Sequence, residues 1–230
     1  DKYDHAMQNL SHHMGLNKKN ILIEGYDISH HGGKYAVAAA VVFSNQGPQK
    51  KSYKLYNIDP LYAGNDVGSI AHALQRRLQK VAQNPLPDII LIDGGQAQLN
   101  SALKVLQSHV SPQPIILSIV KGAKRVRATE TILSEQGILE IPVNSPGFNL
   151  LQQIRDESHR FAITNNRKKK NKTINHSSLD KIDGLGPRKK YKLLKYFKSL
   201  KNLKTASIDD ICMVEGISIK LATQIKHNLK

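Results

Sequence analysis

Cysteine, tryptophan and long apolar runs are the first things this 230-residue sequence lacks. It has a single cysteine, Cys212, and no tryptophan. One cysteine cannot form an internal disulfide or a cysteine-based zinc site, and it suits a reducing compartment, so we expect a cytoplasmic protein. No apolar run is long enough to cross a bilayer and no signal-peptide pattern is present, so no membrane partner is expected.

Aromatic residues are also scarce, at 5% of the chain, whereas hydrophobic residues as a whole make up 40%. This balance predicts a packed core that is mainly aliphatic. A chain of this length is sufficient for one domain of medium size and a second, smaller one.

The positive charge of the chain is concentrated in one region. Of the formal net charge of +16, residues 160–204 contribute +13, because they hold fifteen lysines or arginines against Asp180 and Asp183. A basic block beside a nearly neutral region indicates a polyanionic partner that one part holds and the other processes. A solvated tail without a partner is the alternative reading of the charge alone.

The hydrophobic pattern predicts an α/β domain over residues 21–166. Strands are predicted at 21–28, 34–44 and 50–58, with glycine and proline turns between them, which indicates an antiparallel meander. Helical spacing and short buried apolar runs then alternate, which predicts a mixed sheet with helices packed on it. These later elements are helices at 69–82, 96–110 and 146–165, strands at 88–92 and 115–120, and a hairpin at 131–133 and 138–141.

Three further segments complete the predicted organisation. Residues 1–20 are polar without a strong period and are interpreted as the frayed end of an upstream helix. Residues 167–177, with the run RKKKNK, are predicted to be a basic linker. Residues 178–230 contain two related pieces, IDGLGP from Ile182 and VEGIS from Val214, each followed by a helix, which indicates an internal duplication in a small all-α domain.

Four residues in the α/β region are candidates for chemistry. Asp27 and Asp93 each lie near the end of a predicted buried strand, at the edge where α/β sheets place ligands. If the two strands are neighbours, the carboxylates converge and repel unless a cation such as Mg²⁺ or Mn²⁺ lies between them. Asp66 precedes a helix and His159 lies on one. Taken singly, each has a structural alternative: a turn or cap for the aspartates, and a surface or capping role for His159.

The duplicated glycine-rich pieces are candidates for binding phosphate. A hairpin turn that leads into a helix N-terminus presents free backbone N–H groups, and such contacts recognise the DNA backbone without selecting a sequence. The alternative is a pair of ordinary helical hairpins with glycine turns. The candidate DNA-binding residues are Gly184, Gly186, Arg188, Lys189, Lys190, Gly216, Ser218 and Lys220.

Several motifs in order resemble one family. GYDISH around Asp27, LIDGGQAQL around Asp93, VKGAKR followed by TET, and IRDESHRFAI around His159 are the strongest, followed by IDGLGPRKK and VEGIS. Over nearly its whole length the chain resembles the C-terminal half of the UvrC family, the C subunits of excinuclease ABC, which are the nucleases of bacterial nucleotide excision repair.

The resemblance implies an RNase H-like fold followed by a tandem helix-hairpin-helix domain. It implies that Asp27, Asp93 and His159 hold a divalent metal and make the incision 5′ of a lesion in double-stranded DNA, and it matches a further family acid to Asp66. The other incision, 3′ of the lesion, belongs to an upstream GIY-YIG domain of the family, and UvrB is a partner. Nothing in this chain matches that domain or the main UvrB-binding segment.

The chain departs from the family pattern in three places. The usual Gly-Lys-Gly after the Asp-Gly pair is Gly95-Gln96-Ala97, so a basic group near the scissile phosphate is lost or supplied by Lys121 or Lys124. The segment around Asp66 reads Gly-Asn-Asp-Val in place of Gly-Asp-Asp-Tyr, and the segment after Lys121 is divergent. Two alternatives therefore stay open: a DNA-binding module whose nuclease site has decayed, and a phosphatase or nucleotide-handling enzyme on the same fold.

Overall fold

The computed structural model of the chain describes residues 2–31, 35–62, 64–108, 112–120 and 130–229. It divides into two compact units, Asp1–Asn165 and Asn166–Lys230, each of which is described by itself. Among the described residues no helix has both the length and the apolar character that a bilayer crossing demands.

The first unit is a mixed sheet with helices on both faces. Its strands are β1 (Ile23–His31), β2 (Tyr35–Ser44), β3 (Gly47–Pro48), β4 (Lys54–Ile58), β5 (Ile89–Asp93), β6 (Ile115–Val120), β7 (Thr131–Ser134) and β8 (Gly137–Ile138). Its helices are α1 (Lys2–His13), α2 (Asp66–Leu78), α3 (Gln96–Gln107) and the part of α4 (Pro146–Asp180) up to Asn165, with short 3-10 turns at Lys50–Ser52 and Pro60–Tyr62.

Strand β1 lies at the centre of the functional part of the sheet. The order is β3-β2-β1-β5-β6-β7-β8, with β4 also paired to β2. β1 is antiparallel to β2 and parallel to β5, and β2 is antiparallel to β4, so the predicted meander and the predicted mixed sheet are confirmed. Since β1, β4 and β5 run in the same direction, their carboxyl ends meet at one edge of the sheet.

The two faces of the sheet are covered by different helices because successive strand residues point to opposite sides. On β1, Ile23 belongs to a core cluster shared with α1 and α4, whereas Tyr26 belongs to a cluster shared with α2 and α3. On β5, Leu91 and Ile92 divide in the same way. Asp27 and Asp93 have the parity of Ile23 and Leu91, so both lie on the face that α4 covers.

The structure corrects several boundaries expected from the sequence. Residues 1–20 are not a frayed end: α1 contributes Met7 and Leu10, both fully buried, to the core of the first unit. Residues 50–52 form a 3-10 turn rather than the start of a strand, and α2 begins at Asp66 rather than at residue 69. Helix α4 does not end near residue 165 but continues to Asp180, so that residues 167–177, expected to be a linker, have helical backbone.

The second unit confirms the duplication in atomic detail. Its further helices are α5 (Pro187–Phe197), α6 (Leu200–Thr205), α7 (Ile208–Cys212) and α8 (Ile219–Asn228). The turn in which Leu185 N donates to Ile182 O at 3.1 Å recurs 32 residues later, where Ile217 N donates to Val214 O at 3.1 Å. All four residues belong to one apolar cluster, so the two hairpins share a core.

Candidate metal centre and nucleic-acid interface

Asp27 and Asp93 lie side by side on neighbouring parallel strands. Tyr26 on β1 is paired with Ile92 on β5, and the two aspartates are the next residue along each strand. Asp27 is buried and Asp93 is half-buried. The condition stated for convergence, that their strands be neighbours, is therefore met.

Helix α4 approaches β1 closely because β1 has a glycine at the contact. A Cβ atom added to Gly25 would lie 2.4 Å from Ile154 Cγ2 and 3.2 Å from Val41 Cγ2. From this contact, two residues of strand rise by about 6.6 Å to Asp27, and five residues of helix rise by about 7.5 Å to His159. Asp27 and His159 therefore lie at nearly equal distances from this contact, each along its own element.

Three potential ligand atoms meet where these elements converge. One atom from each of Asp27, Asp93 and His159 lies within 4.8 Å of the other two. His159 Nδ1 is 3.5 Å from Asp27 Oδ2, with Asp27 forming the buried floor of the cluster and His159 its exposed side. The structure thus brings together the three residues that the sequence resemblance grouped.

The donor set fits a divalent cation. Two carboxylates and an imidazole can hold a divalent cation, with further positions left for water or phosphate oxygen. A cation with bonds of about 2.1 Å spans ligand atoms up to roughly 4.2 Å apart, so the cluster needs to contract by only a fraction of an ångström.

Asp66 is not part of this cluster. It is the first residue of α2, half of its side chain is exposed, and its carboxylate contacts His30 Nε2 on β1. The alternative reading of Asp66 as the helix cap is wrong, because the side chain of Asn65 accepts from Gly68 N at 3.0 Å. By strand alternation His30 lies on the opposite face of β1 from Asp27.

The turn after Asp93 is fixed by Gln98, a residue that sequence reasoning missed. Gln98 Oε1 accepts from Gly95 N at 3.0 Å, and Ser118 Oγ on β6 donates to Gly94 O at 2.6 Å. A Cβ on Gly94 would lie 3.1 Å from the Gln98 side chain, so Gly94 leaves room for this cap. The signal was a glutamine three residues into the helix, the spacing of a capping box.

A buried ion pair lies one helical turn before His159 on α4. Arg155, one helical turn before His159, pairs with Glu130, and both side chains are almost fully buried. Gln152 Nε2 donates to the second oxygen of Glu130 at 2.7 Å, and Arg155 also pairs with Asp156 at 2.6 Å. The motifs TET and RDESH are therefore joined in space, which their separation in the sequence concealed.

A second buried network joins β1 to α2. Arg77 donates to Glu24 at 2.8 Å and to the carbonyl oxygens of Asn84 and Pro85, just before β5. The Tyr26 hydroxyl donates to Glu24 at 2.7 Å, and burial, followed by the negative charge of Glu24, raises the pKa of Tyr26 well above its ordinary value. This network anchors β1 on the face away from the cluster.

The predicted phosphate-binding residues occupy equivalent places in the two hairpins. Gly184 and Gly216 have φ of +82° and +87°, a conformation that favours glycine. Gly186 and Ser218 precede the first turns of α5 and α8. Arg188, Lys189 and Lys190 lie in the first two turns of α5, and Lys220 lies at the start of α8.

The two hairpins differ in charge. The helix after the first turn begins with three cations, Arg188, Lys189 and Lys190, whereas the helix after the second has Lys220 alone in its first turn. An acid precedes the glycine of both turns, Asp183 before Gly184 and Glu215 before Gly216, and Glu215 pairs with Lys192 of α5 at 2.7 Å. Tyr191 on α5 and Ile219 on α8 are both exposed. Sequence reasoning noted the repeat but not this contact between its copies.

An RNase H-like sheet on which two aspartates and a histidine converge, followed by a tandem of helical hairpins, defines the class: an RNase H-like domain joined to a helix-hairpin-helix unit. The sequence matches the UvrC RNase H endonuclease domain over residues 11–163 and the SAM-like helix-hairpin-helix tandem over residues 177–230. The chain belongs to the UvrC family.

Curated relatives agree with this assignment. A UvrABC system protein C of Pseudomonas fluorescens is 44% identical over 211 residues, which cover 90% of this chain and 35% of the relative. The protein of the same name from Pseudomonas syringae pv. syringae is 41% identical over 94% of this chain and 36% of its own. The chain therefore spans about a third of the length of these relatives.

A solved structure of the catalytic domain of human endonuclease V is a distant match in fold. It covers 65% of this chain and 83% of its own, with a TM-score of 0.39 and 13% sequence identity.

Proposed function

We propose that the chain is a metal-dependent DNA endonuclease of bacterial nucleotide excision repair that makes the incision 5′ of a lesion. The convergence of Asp27, Asp93 and His159 within 4.8 Å is the observation that carries the proposal. Membership of the UvrC family supplies the repair context, with lesion-containing duplex DNA as substrate, UvrB as partner and the bacterial cytoplasm as the place of action.

The roles that we propose for the three side chains follow from how buried each one is. Asp27 and Asp93 would hold Mg²⁺ or Mn²⁺, which when bound lowers the pKa of a water and offsets negative charge on the phosphate. Asp27 pairs with Ala39 of β2, and the residue before it, Tyr26, pairs with Ile92 of β5, so its backbone is supported by both neighbouring strands. The exposed His159 can act as a ligand or can accept the proton of the attacking water, two roles that its position next to Asp27 supports equally.

Asp66 stays a candidate for an accessory role by its match to the family acid. Its exposed carboxylate and its contact with His30 place it beside the same strand as Asp27. Loss of activity in Asp66→Asn with metal affinity unchanged would separate such a role from that of a ligand.

The hairpin tandem would bind the DNA backbone. The free N–H groups at the starts of α5 and α8 and the cations at 188–190 suit phosphate, and the affinity should fall steeply with salt. The unit would thus hold the duplex while the first unit cuts it.

Nicking of a lesion-containing duplex with Mn²⁺ present tests the proposal. We expect Asp27→Asn, Asp93→Asn and His159→Ala each to lower the nicking rate by two orders of magnitude or more. Glu135→Gln, which removes a carboxylate from an exposed turn of the same unit, should cut like the wild type. Undiminished cutting by Asp27→Asn would overturn the assignment of the site.

A DNA-binding module with a decayed nuclease site is the second candidate. It is favoured by the neutral start of α3, where Gln96 donates to Asn100 at 2.9 Å in place of presenting a cation. Retained DNA binding by the wild type without any nicking at saturating Mn²⁺ would select this function over the first.

A further inference from the structure

Ser118 is a polar residue inside the apolar strand β6. The strand reads IILSIV over Ile115–Val120, and Ser118 is fully buried in it. Burial of a hydroxyl group costs free energy unless the group is hydrogen-bonded. The hydrogen-bond partners of Ser118 therefore indicate what this serine does in the first unit.

The Ser118 hydroxyl contacts carbonyl groups on both sides of Asp93. Ser118 Oγ donates to Gly94 O at 2.6 Å, and Ile92 O lies 3.4 Å away as a second acceptor. The shorter contact is the stronger one, because a hydroxyl carries one hydrogen and hydrogen bonds between oxygens are about 2.5–3.0 Å long. One side chain of β6 therefore supports the backbone that carries the Asp93 carboxylate.

The backbone after Asp93 is supported by side chains where it leaves the sheet. β5 pairs with β6 as far as Asp93, and the chain continues through Gly94 and Gly95, which have more backbone freedom than other residues. Gln98 Oε1 on α3 accepts from Gly95 N at 3.0 Å, and Ser118 Oγ on β6 donates to Gly94 O. Each glycine of the turn is thus bonded by a side chain from a different neighbouring element.

Ser118 lies on the other face of the sheet from the metal-binding cluster. It pairs with Ile92 in the parallel register of β5 and β6, so both side chains lie on the face that α2 and α3 cover. The Asp93 carboxylate lies on the opposite face with the other two ligand residues. Any effect of Ser118 on the cluster therefore passes through the backbone at Gly94.

The geometry of the cluster leaves little room for movement of Asp93. The ligand atoms of Asp27, Asp93 and His159 lie within 4.8 Å of one another, whereas a cation with bonds of about 2.1 Å spans atoms about 4.2 Å apart. A displacement of the Asp93 carboxylate by about half an ångström is comparable with the contraction that binding requires. Without the Ser118 bond the peptide after Asp93 is freer to rotate, and the free energy of binding then includes the cost of ordering it.

We propose that Ser118 is a positioning residue for the metal-binding cluster, whose hydroxyl holds the Gly94 carbonyl, and with it the Asp93 carboxylate, where a divalent cation binds. The proposal rests on the proposed metal-dependent function and adds a residue that lies outside the ligand set. Groups that hold a metal ligand in place change the affinity for the metal without contacting it.

Binding of Mn²⁺ to the whole chain tests the proposal without any cutting. The electron paramagnetic resonance signal of free Mn²⁺ gives the dissociation constant, and its change in Asp93→Asn identifies the binding that belongs to the cluster. We expect Ser118→Ala to raise this constant about tenfold, the loss in affinity that follows removal of a group behind a metal ligand. Ser118→Thr keeps the hydroxyl and should bind Mn²⁺ like the wild type.

Ser69→Ala is the matched control. Ser69 is also fully buried, and its hydroxyl donates to the Tyr62 carbonyl oxygen at 3.1 Å. Both alanine variants lose a buried hydroxyl and should lower the thermal midpoint to a similar extent, but Ser69→Ala should leave the Mn²⁺ affinity unchanged. An equal Mn²⁺ affinity of Ser118→Ala and Ser69→Ala would overturn the positioning role. A loss in Ser118→Thr as large as in Ser118→Ala would also overturn it, since the hydroxyl would then not be responsible.

Nicking of a lesion-containing duplex separates this proposal from the proposed function. The Mn²⁺ concentration that gives half of the maximal nicking rate should rise in Ser118→Ala by the same factor as the dissociation constant. A wild type that binds Mn²⁺ at the cluster but does not nick would overturn the endonuclease function and leave the positioning role intact. A Ser118→Ala variant that binds Mn²⁺ and nicks like the wild type would overturn the positioning role alone.

Discussion

Gly25 of β1 lies directly against Ile154 of α4, so closely that a methyl group on the glycine would come within 2.4 Å of Ile154 Cγ2. The contact is between the two elements that carry Asp27 and His159. The separation of those two side chains is therefore set by a residue that has no functional group of its own.

Gly25→Ala is expected to lower both stability and nicking activity. Overpacking of a dense core costs about 1–3 kcal/mol, and any shift of α4 that relieves the clash also displaces His159. Urea unfolding and Mn²⁺-dependent nicking measure the two effects. Ile154→Ala alone should cost about 2–5 kcal/mol. The double variant should be more stable than the sum of the two losses predicts, and strict additivity would mean that the contact is relieved elsewhere.

Arg155→Met is expected to destabilise the first unit by about 3–5 kcal/mol, because it leaves the Glu130 carboxylate buried without its cation. Glu130→Gln combined with Arg155→Met should recover much of that loss in stability, since no buried carboxylate is then left without a cation. Urea unfolding of both variants compares them. A double variant as unstable as Arg155→Met would show that packing of the arginine, and not its charge, is what matters.

Glu157 is expected to make stability depend on pH in the acid range. A hydrogen bond from Arg160, followed by one from the Tyr53 hydroxyl, lowers the pKa of Glu157 below its ordinary value of 4.5 despite partial burial. A carboxyl whose pKa is lower in the folded state contributes stability that is complete above pH 4.5 and is lost as pH falls through the folded value. Glu157→Gln should therefore be less stable than wild type at pH 7, and the difference should shrink below pH 4.5. A difference independent of pH would contradict this assignment.

Removal of charge from the first hairpin should flatten the salt dependence of DNA binding. Each phosphate contact contributes about 0.9 to the slope of log K against log salt. We expect Lys189→Ala with Lys190→Ala to lower the slope by about 1 to 2. Lys80→Ala with Lys104→Ala, which removes the same charge from exposed positions in the first unit, should leave it nearly unchanged. Fluorescence anisotropy over a range of salt concentrations measures both slopes. If the Lys189→Ala, Lys190→Ala variant and the wild type had equal slopes, this hairpin would not be a site of phosphate contact.

Glu215→Gln should bind DNA more tightly than the wild type at low salt. The change removes a negative charge next to the Gly216 backbone and frees Lys192, which Glu215 contacts at 2.7 Å. Asp209→Asn is the matched control, because it removes one exposed acid from the same unit, six residues before Glu215 in the first turn of α7. A larger gain for Glu215→Gln than for Asp209→Asn is the expected result in an anisotropy titration. Equal gains would mean that only the net charge matters.

The sequence predicted best the buried strands and the helix that begins at a proline. The apolar run at 115–120 corresponds to β6 without any shift, and α4 begins at Pro146 as predicted. Its end was misplaced because a run of lysines was interpreted as a linker, although lysine favours helices and residues 148–183 contain no glycine or proline. The packing of α1 into the core was missed because histidines obscured the helical spacing of Met7 and Leu10.

The candidate site was predictable in part. Asp93 is the last residue of β5, as its local pattern predicts, whereas Asp27 lies in the middle of β1, because that strand continues to His31. The pairing of β1 with β5 follows from no local pattern. The contacts of Asp66 with His30 and of Arg155 with Glu130 join residues 36 and 25 positions apart. Such pairs depend on how strands and helices pack, which single motifs do not encode.

The two hairpins of the second unit are shaped by turn bonds between main-chain atoms and by a shared apolar core. Those turn bonds use main-chain atoms, and among the cations at their helix starts Lys189 donates to a turn carbonyl, that of Gly184 at 3.4 Å. Selection can therefore alter the attraction of either hairpin for a polyanion with little effect on its folding. A duplicated element with this property can diverge in charge while its fold is kept, and the ion pair between Glu215 and Lys192 joins the two copies at an exposed, charged surface.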